Sequence, residues 1–167
     1  MKNNMTIRCM ECGVVCSKEE SFIIDGKNMC SRCLFGDVSP MKIYPIGFVS
    51  NKQNRDNSDF GLRGKSRISR IELFPSQKPF MYKLEDEGHL TIVYYFHKAR
   101  AVRSRFRRGL DGKEVGVFAS RTPDRLSRIG IQDVRLVKVE GTTLVVKGLD
   151  AINGTPVLDI KLKKRRL

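Results

Sequence analysis

The sequence of 167 residues lacks the motifs that most directly mark a nucleotide-binding or metal-dependent enzyme. It contains no G-x-G-x-x-G, so a Rossmann-type cofactor site is not expected. Gly61–Ser66 resembles the end of a phosphate-binding loop, but Asp59 occupies the position of the first glycine. Neither His89 nor His97 begins an H-x-E sequence, which excludes the signature of a zinc deaminase.

Long apolar runs are also absent. Leu90–Phe96 is the most apolar segment and is far too short to span a bilayer. No signal peptide is visible, because Met1–Arg8 is polar and Cys9 follows before any apolar run. We therefore expect a cytoplasmic protein that has no membrane among its partners.

No cysteine occurs after position 33, and this confinement favours a metal over scattered disulfides. Two Cys-x-x-Cys pairs, Cys9 with Cys12 and Cys30 with Cys33, predict one structural zinc ion with four thiolate ligands. A redox dithiol is the competing interpretation, although it needs only one pair. Cys16 is left over, either as a spare thiol or as a replacement for one of the four ligands.

The cysteine segment is predicted to form a small zinc ribbon over residues 1–37, in which the metal supplies the folding energy. Ser21–Ile24 and Lys27–Met29 are expected to pair as a hairpin that returns the second cysteine pair to the first. After a short linker, a second domain is predicted over residues 41–167. With four sulfurs bound, the metal has no open position for catalysis, so the ribbon is a structural or docking module.

Acidic residues are too few to balance the basic ones, and the net charge is +14. Residues 1–40 hold five basic and five acidic side chains, so the whole excess belongs to residues 41–167. A domain this basic is expected to bind polyanions, and nucleic acid is the first candidate.

Helical periodicity is missing from the second domain, where strand signals recur at short spacing. This pattern predicts a mainly β domain, an antiparallel barrel or sandwich. Within it, Asn153-Gly154 suits a hairpin turn between strands at Leu144–Val146 and Pro156–Ile160, with Asp150 as a polar strand end or as a ligand-holding residue. The predicted strands are Lys42–Val49, Ile68–Phe74, Leu90–Phe96, Val115–Ala119, Val134–Val139, Thr143–Val146 and Val157–Leu162.

Two longer motifs, GVFASRTPDRLSRIG (116–130) and GLDAINGTPVLDIK (148–161), resemble the TsaA/TrmO-like family. Its members are S-adenosylmethionine-dependent methyltransferases that act on threonylcarbamoyladenosine next to the anticodon of tRNA. IYPIGFVSN (43–51) and LTIVYYFHK (90–98) fit the same family, so the resemblance covers most of 41–162. It implies an antiparallel single-sheet β-barrel, commonly a homodimer, to which this chain adds the N-terminal zinc ribbon.

The resemblance also implies which residues bind S-adenosylmethionine. His97 is in addition the candidate general base, since an imidazole is matched to neutral pH. The chain departs from the family's usual pattern at Leu126 and Arg128, which replace two prolines, and at Asn153, which replaces an aspartate. The implied cofactor-binding residues are Phe60, Gly61, Leu62, His97, Lys98, Arg121, Ile131, Asp150, Ala151, Ile152 and Asn153.

A basic run, HKARAVRSRFRR, covers His97–Arg108. It is either a solvated loop or a set of phosphate contacts, and the charge of the domain favours the second. Phe106 within the run could stack on a base or pack internally. The predicted nucleic-acid contacts are Arg100, Arg103, Arg105, Arg107, Arg108, Arg125 and Arg128.

Three functions remain open from the sequence. The first is N6-methylation of threonylcarbamoyladenosine in tRNA. The second is a non-catalytic zinc-ribbon RNA-binding protein, which the departures at Leu126, Arg128 and Asn153 keep open. The third is a methyltransferase of the same fold with a different acceptor.

Overall fold

The structure is a computed structural model, and it describes residues 6–52, 67–99 and 101–163. Phe60, Gly61, Leu62 and Arg100 therefore lie outside the described residues. The strands and the helix in chain order are β1 Thr6–Arg8, β2 Val15–Ser17, β3 Ser21–Ile24, β4 Lys27–Cys30, α1 Ser31–Phe35, β5 Gly47–Ser50, β6 Ile68–Leu73, β7 His89–Tyr95, β8 Arg105–Arg107, β9 Glu114–Gly116, β10 Ile129–Glu140, β11 Thr143–Lys147 and β12 Pro156–Leu162.

The chain divides into two compact units. We call Met1–Lys42 with Ala99–Ser127 the cysteine unit, and Ile43–Lys98 with Arg128–Leu167 the barrel unit. Residues 99–127 group with the cysteine segment although they lie within the predicted second domain. The predicted division into 1–37 and 41–167 stays a prediction.

The barrel unit is one closed antiparallel sheet in the order β10-β11-β6-β5-β12-β7. Residues of β6 and β7 alternate between buried and more exposed positions, so that Ile71, Leu90 and Ile92 point into the core. Closure removes the unpaired edges that an open sheet of this size would leave. The prediction of a mainly β, antiparallel barrel is therefore confirmed.

Two glycines allow close approaches in the barrel wall. A Cβ on Gly47 would lie 2.3 Å from the backbone oxygen of Glu72 on the paired strand β6. A Cβ on Gly130 of β10 would lie 2.7 Å from the ring of Tyr94 and 2.9 Å from that of Phe96. These two aromatic rings pack edge to face with centroids 5.3 Å apart, and only glycine leaves room for them.

The predicted hairpin around Asn153-Gly154 is wrong. β11 pairs with β10 and β6, whereas β12 pairs with β5 and β7, so the two strands that flank the turn are not partners. The connecting residues 148–155 form a loop whose Leu149, Ala151 and Ile152 are buried. Burial of these apolar side chains holds the segment against the core instead of letting it project as a turn.

The other differences concern the lengths of elements. β5 begins at Gly47 rather than at residue 42, and β10 begins five residues earlier than predicted. Of the predicted strand Val115–Ala119, only Val115 and Gly116 belong to β9, because Val117–Ala119 form a single 3-10 turn. The short helix α1, which begins directly after Cys30 and contains Cys33, was not predicted.

The cysteine unit consists of short two-stranded pairings. β1 pairs with β2, β8 pairs with β9, and the predicted hairpin of β3 and β4 is present. Its turn residues Asp25 and Gly26 have φ of 49° and 79°, the left-handed geometry of a tight hairpin turn. No helix in the described parts of the chain is long and apolar enough to cross a membrane.

Candidate functional site

The four paired cysteines meet at one point in the cysteine unit. Their Sγ atoms all lie within 4.8 Å of one another, with Cys9 and Cys30 buried. The Cys9–Cys33 and Cys12–Cys30 sulfur distances are 3.9 and 3.8 Å. Four thiolates at about 2.3 Å from a tetrahedral zinc are about 3.8 Å apart, so the sulfur arrangement fits that ion.

Backbone amides surround this cluster. The amides of Cys12 and Cys30 lower the pKa of Cys9 to about 6, and the Cys30 amide donates to the Cys9 sulfur at 3.3 Å. Neighbouring sulfurs of Cys12 and Cys30 raise the pKa of Cys33. A metal would replace the protons that the sulfurs share.

Cys16 lies outside the cluster. Its thiol donates to the carbonyl of Ile7 at 3.6 Å, and burial raises its pKa. It is not one of the four clustered sulfurs, which agrees with the interpretation of Cys16 as a spare thiol.

In the barrel unit, the loop 148–155 is held by the side chain of Gln132. Its amide donates to the carbonyl of Gly148 at 2.7 Å and accepts from the backbone amide of Asp150 at 2.8 Å. Tyr94 adds a hydroxyl bond to the carbonyl of Asp150 at 3.4 Å. Gln132 thus positions the start of the predicted donor-binding segment Asp150 to Asn153. No sequence motif pointed to Gln132.

Asn51 holds the other end of the same loop. Its side-chain amide donates to the carbonyl of Ala151 at 2.8 Å and to the hydroxyl of Ser69 at 3.1 Å. Its backbone amide donates to Oδ1 of Asn153 at 3.1 Å. Asn153, where the family usually has aspartate, therefore keeps a side-chain oxygen as the acceptor. The sequence signal for Asn51 was its place at the end of the family-like segment IYPIGFVSN (43–51).

His97 lies beside this loop. Its Nε2 is 4.0 Å from the point that a Cβ on Gly154 would occupy. Its Nδ1 is buried and makes no hydrogen bond with any described residue. Burial, with a smaller contribution from Lys98, lowers the pKa of His97, so its imidazole is neutral at neutral pH.

The remaining predicted donor-binding residues are exposed. Lys98 follows His97 in the barrel unit, and Ile131 lies on β10 opposite Val93 with 56% of its surface exposed. Arg121 lies in the cysteine unit and is exposed. The donor-binding roles of these residues stay predictions.

Two arginines hold the turn that precedes Arg121. Arg125 donates from its guanidinium to the carbonyls of Ser120 at 2.6 Å and Thr122 at 2.9 Å. Arg108 reaches the carbonyl of Ala119 at 3.3 Å and also forms a two-bond pair with Asp111 at 2.6 and 3.0 Å. Both were predicted as nucleic-acid contacts, and the structure gives each guanidinium internal partners.

The other predicted nucleic-acid residues differ in their surroundings. Arg103 lies 3.5 Å from a carboxylate oxygen of Asp124, and Arg107 donates to the carbonyl of Gly112 at 2.9 Å. Arg105 is exposed on β8. Phe106, next to it, is half-buried opposite Val115. Part of the basic run His97–Arg108 is therefore a strand.

Arg128 adopts a backbone conformation that proline cannot. Its φ is 52°, whereas the proline ring holds φ near −65°. The carbonyl of Arg128 accepts from the amide of Phe96 at 2.8 Å, which joins this position to the end of β7. The replacement of the family's proline thus comes with a changed backbone in the loop before β10.

Comparison with known proteins decides the family. The tRNA-methyltransferase O N-terminal domain matches residues 50–163. The chain belongs to this family. The resemblance to the TsaA/TrmO-like family is therefore confirmed.

Relatives and solved structures agree. A probable S-adenosyl-L-methionine-binding protein of Pyrococcus abyssi is 33% identical over 119 residues, covering 70% of this chain and 65% of that protein. The human tRNA (adenine(37)-N6)-methyltransferase is 37% identical over 95 residues, 55% of this chain and 22% of that protein. The crystal structure of TrmO from Pseudomonas aeruginosa has a TM-score of 0.63 at 28% identity, covering 75% of this chain and 57% of that chain.

This chain of the TrmO family therefore spans about two thirds of the Pyrococcus relative and just over half of the solved TrmO chain. A second S-adenosyl-L-methionine-binding protein, from Archaeoglobus fulgidus, is 33% identical over 123 residues, and there the match covers 88% of the relative and 72% of this chain.

Proposed function

We propose that this protein is an S-adenosylmethionine-dependent methyltransferase that acts on tRNA. The family match over residues 50–163 is the observation that carries the proposal. It is supported by relatives named for S-adenosylmethionine binding and for methylation of adenine 37 in tRNA. The net charge of +14 suits a polyanionic substrate.

The residues of the barrel unit fit the methyl donor. S-adenosylmethionine combines a ribose, an adenine, an amino group and a carboxylate, and so requires both polar groups and an apolar wall. Asp150 can accept from hydroxyl or amino groups, and Ile131 offers an exposed apolar surface. The buried Nδ1 of His97, which no described residue hydrogen-bonds, lies beside the same loop and is a polar atom that a ligand would satisfy.

When bound, S-adenosylmethionine supplies an electrophilic methyl group. The task of the chain is then to orient the acceptor, exclude water and take up a proton. His97 is the proposed proton acceptor, because burial lowers its pKa and keeps the imidazole neutral. A rate that depends on this neutral form falls as the pH drops through the lowered pKa of His97.

The finer proposal is N6-methylation of threonylcarbamoyladenosine next to the anticodon, by a homodimer that holds one structural zinc ion per chain. The geometry of Cys9, Cys12, Cys30 and Cys33 supports the zinc. The changed backbone at Arg128 is the observation that keeps a different acceptor as the second candidate.

Methyl transfer to two matched tRNAs tests the acceptor. We expect labelled methyl groups to pass from S-adenosylmethionine to tRNA that carries threonylcarbamoyladenosine, and not to the same tRNA lacking that modification. His97→Gln should lower this rate by a larger factor than it weakens donor binding. Equal labelling of both tRNAs would favour a different acceptor, and no labelling together with no donor binding would favour the non-catalytic RNA-binding protein.

Donor affinity tests the binding residues. Arg121→Ala is expected to weaken S-adenosylmethionine binding roughly ten- to a hundredfold, because a charge-assisted contact with the donor's carboxylate is worth about 1.5–3 kcal/mol. Asp150→Ala should also weaken binding while leaving the melting curve of the barrel in place. Asp159→Ala is the matched control, since its carboxylate pairs with Lys161. Unchanged calorimetric affinity in both variants would remove Arg121 and Asp150 from the site.

A further inference from the structure

We propose that the cysteine unit is a docking surface for RNA, in which the β3–β4 hairpin holds the segment Ala101–Arg105 so that its arginines face phosphates. This inference rests on the proposed function, because it assigns to the cysteine unit a part in holding the tRNA. It goes further by assigning to the metal-binding segment a partner, RNA, and the role of positioning arginines for phosphate contacts.

The hairpin turn is joined to the basic segment by three hydrogen bonds. The amide of Asp25 donates to the carbonyl of Val102 at 3.1 Å. The carboxylate of Asp25 accepts from the amide of Ser104 at 3.0 Å and from its hydroxyl at 2.5 Å. These hydrogen bonds with Ser104 lower the pKa of Asp25, so the carboxylate is ionised at neutral pH. The turn thus holds the segment through both backbone and side chain.

The hydrogen bonds to Asp25 leave both arginines of the segment exposed. Val102 is buried and Ser104 is bonded to Asp25, while Arg103 and Arg105 are exposed at the alternating positions. Hydrogen bonds from the turn therefore reduce the number of conformations that the two arginines must lose on binding.

An open groove of about 450 Å³ runs between the turn and the segment. Ile23, Asp25 and Gly26 line its hairpin side, where Ser104 bonds the Asp25 carboxylate. Arg103 and Arg105 line its basic side. Residues 99–127 carry eight Lys and Arg against three Asp and Glu. A shallow groove with a basic wall suits the phosphodiester backbone of an RNA strand, whose affinity arises mainly from such contacts.

Two variants at Asp25 test the link. Asp25→Gly keeps the left-handed turn conformation but removes the carboxylate, whereas Asp25→Asn keeps a side chain that can accept from the Ser104 amide and bond its hydroxyl. We expect Asp25→Gly to weaken binding of a transcribed tRNA roughly three- to tenfold and Asp25→Asn to bind at least as well as the wild type. If Asp25 acted only by repelling RNA through its negative charge, both variants would instead bind tRNA more tightly, and by the same factor.

Two arginine variants test the surface. Arg105→Ala should weaken tRNA binding roughly three- to tenfold and reduce the slope of log affinity against log salt by about one. Arg32→Ala removes the same charge from the same unit, outside the groove and in a side chain that pairs with Asp37, and should change the affinity less than twofold.

Donor affinity and methyl transfer are measured on the same full-length proteins. Equal tRNA binding by Asp25→Gly and Asp25→Asn, or equal losses in Arg105→Ala and Arg32→Ala, would overturn the docking surface. If the wild type still transferred methyl groups to tRNA in that case, the proposed function would stand without the docking surface. Loss of tRNA affinity with unchanged S-adenosylmethionine affinity and unchanged zinc content is the result that supports the surface.

Discussion

Cys30→Ser is expected to abolish zinc binding and to unfold the cysteine unit. Cys30 is buried, its sulfur accepts from the amide of Cys33, and its own amide donates to the sulfur of Cys9. Apart from the buried cysteines, the described part of this unit has almost no apolar core. Its buried apolar side chains are Cys9, Cys30, Val102 and Val117.

The size of this effect follows from the size of the core. Structural zinc sites contribute about 10–16 kcal/mol of apparent binding free energy, whereas a core of a few small side chains contributes far less. Loss of one thiolate from a closed four-sulfur site therefore removes most of what holds the unit together. The expected result is a zinc content near zero by elemental analysis and loss of the unit's amide-exchange protection.

Cys16→Ser is the matched control for the zinc prediction. The Cys16 thiol bonds the carbonyl of Ile7 at 3.6 Å and is not one of the clustered sulfurs in the described part of the chain, so this variant should keep one zinc ion per chain. A full zinc content in Cys30→Ser, or its loss in Cys16→Ser, would contradict the assigned ligand set.

Gly47→Ala is expected to destabilise the barrel by about 3 kcal/mol or more. The new Cβ would lie 2.3 Å from the carbonyl oxygen of Glu72 and 2.7 Å from the Cα of Leu73. Both are backbone atoms of the neighbouring strand, so no side chain can rotate away and the paired strands must separate locally. In a domain of this size such a loss lowers the melting temperature by about 6–12 °C.

Gly88→Ala provides the comparison for the glycine prediction. No atom of the residues that the structure describes lies within 4 Å of the Cβ position at Gly88, and this residue is also in the barrel unit. Alanine there should leave stability unchanged or raise it by about 0.4–1 kcal/mol, because it restricts the unfolded chain. Equal melting temperatures of Gly47→Ala and Gly88→Ala would show that the strands at Gly47 are not packed as described.

Strand content could be predicted because it depends on local alternation. In β7 the apolar residues Leu90, Ile92 and Tyr94 stand at every second position, and the structure buries all three. Tight turns with Asp25-Gly26 and Glu140-Gly141 were also predictable, since the positive φ of Gly26 and Gly141 suits glycine best. The ends of the strands were predicted less accurately, since β10 begins at Ile129 rather than at Val134.

Strand pairing joins segments that are distant in the sequence, so it could not be predicted from local alternation. The turn at Asn153-Gly154 predicted that its flanking strands would be partners, but β11 and β12 pair elsewhere in the barrel. Which strands meet is decided by closure of the sheet and by burial of Leu149, Ala151 and Ile152, and both depend on the whole core.

The sequence by itself determined the four-cysteine cluster, the excess of positive charge, the β class and, through two motifs, the family. The cysteine cluster, the β class and the family motifs depend on residue types at short spacing, and the charge depends on composition alone. Only the tertiary structure decided that Gln132 and Asn51 hold the loop of Asp150 to Asn153, and that Asp25 anchors Ser104. These contacts join residues that are 18, 79 and 100 positions apart, and no local pattern specifies which distant donor will meet a given acceptor.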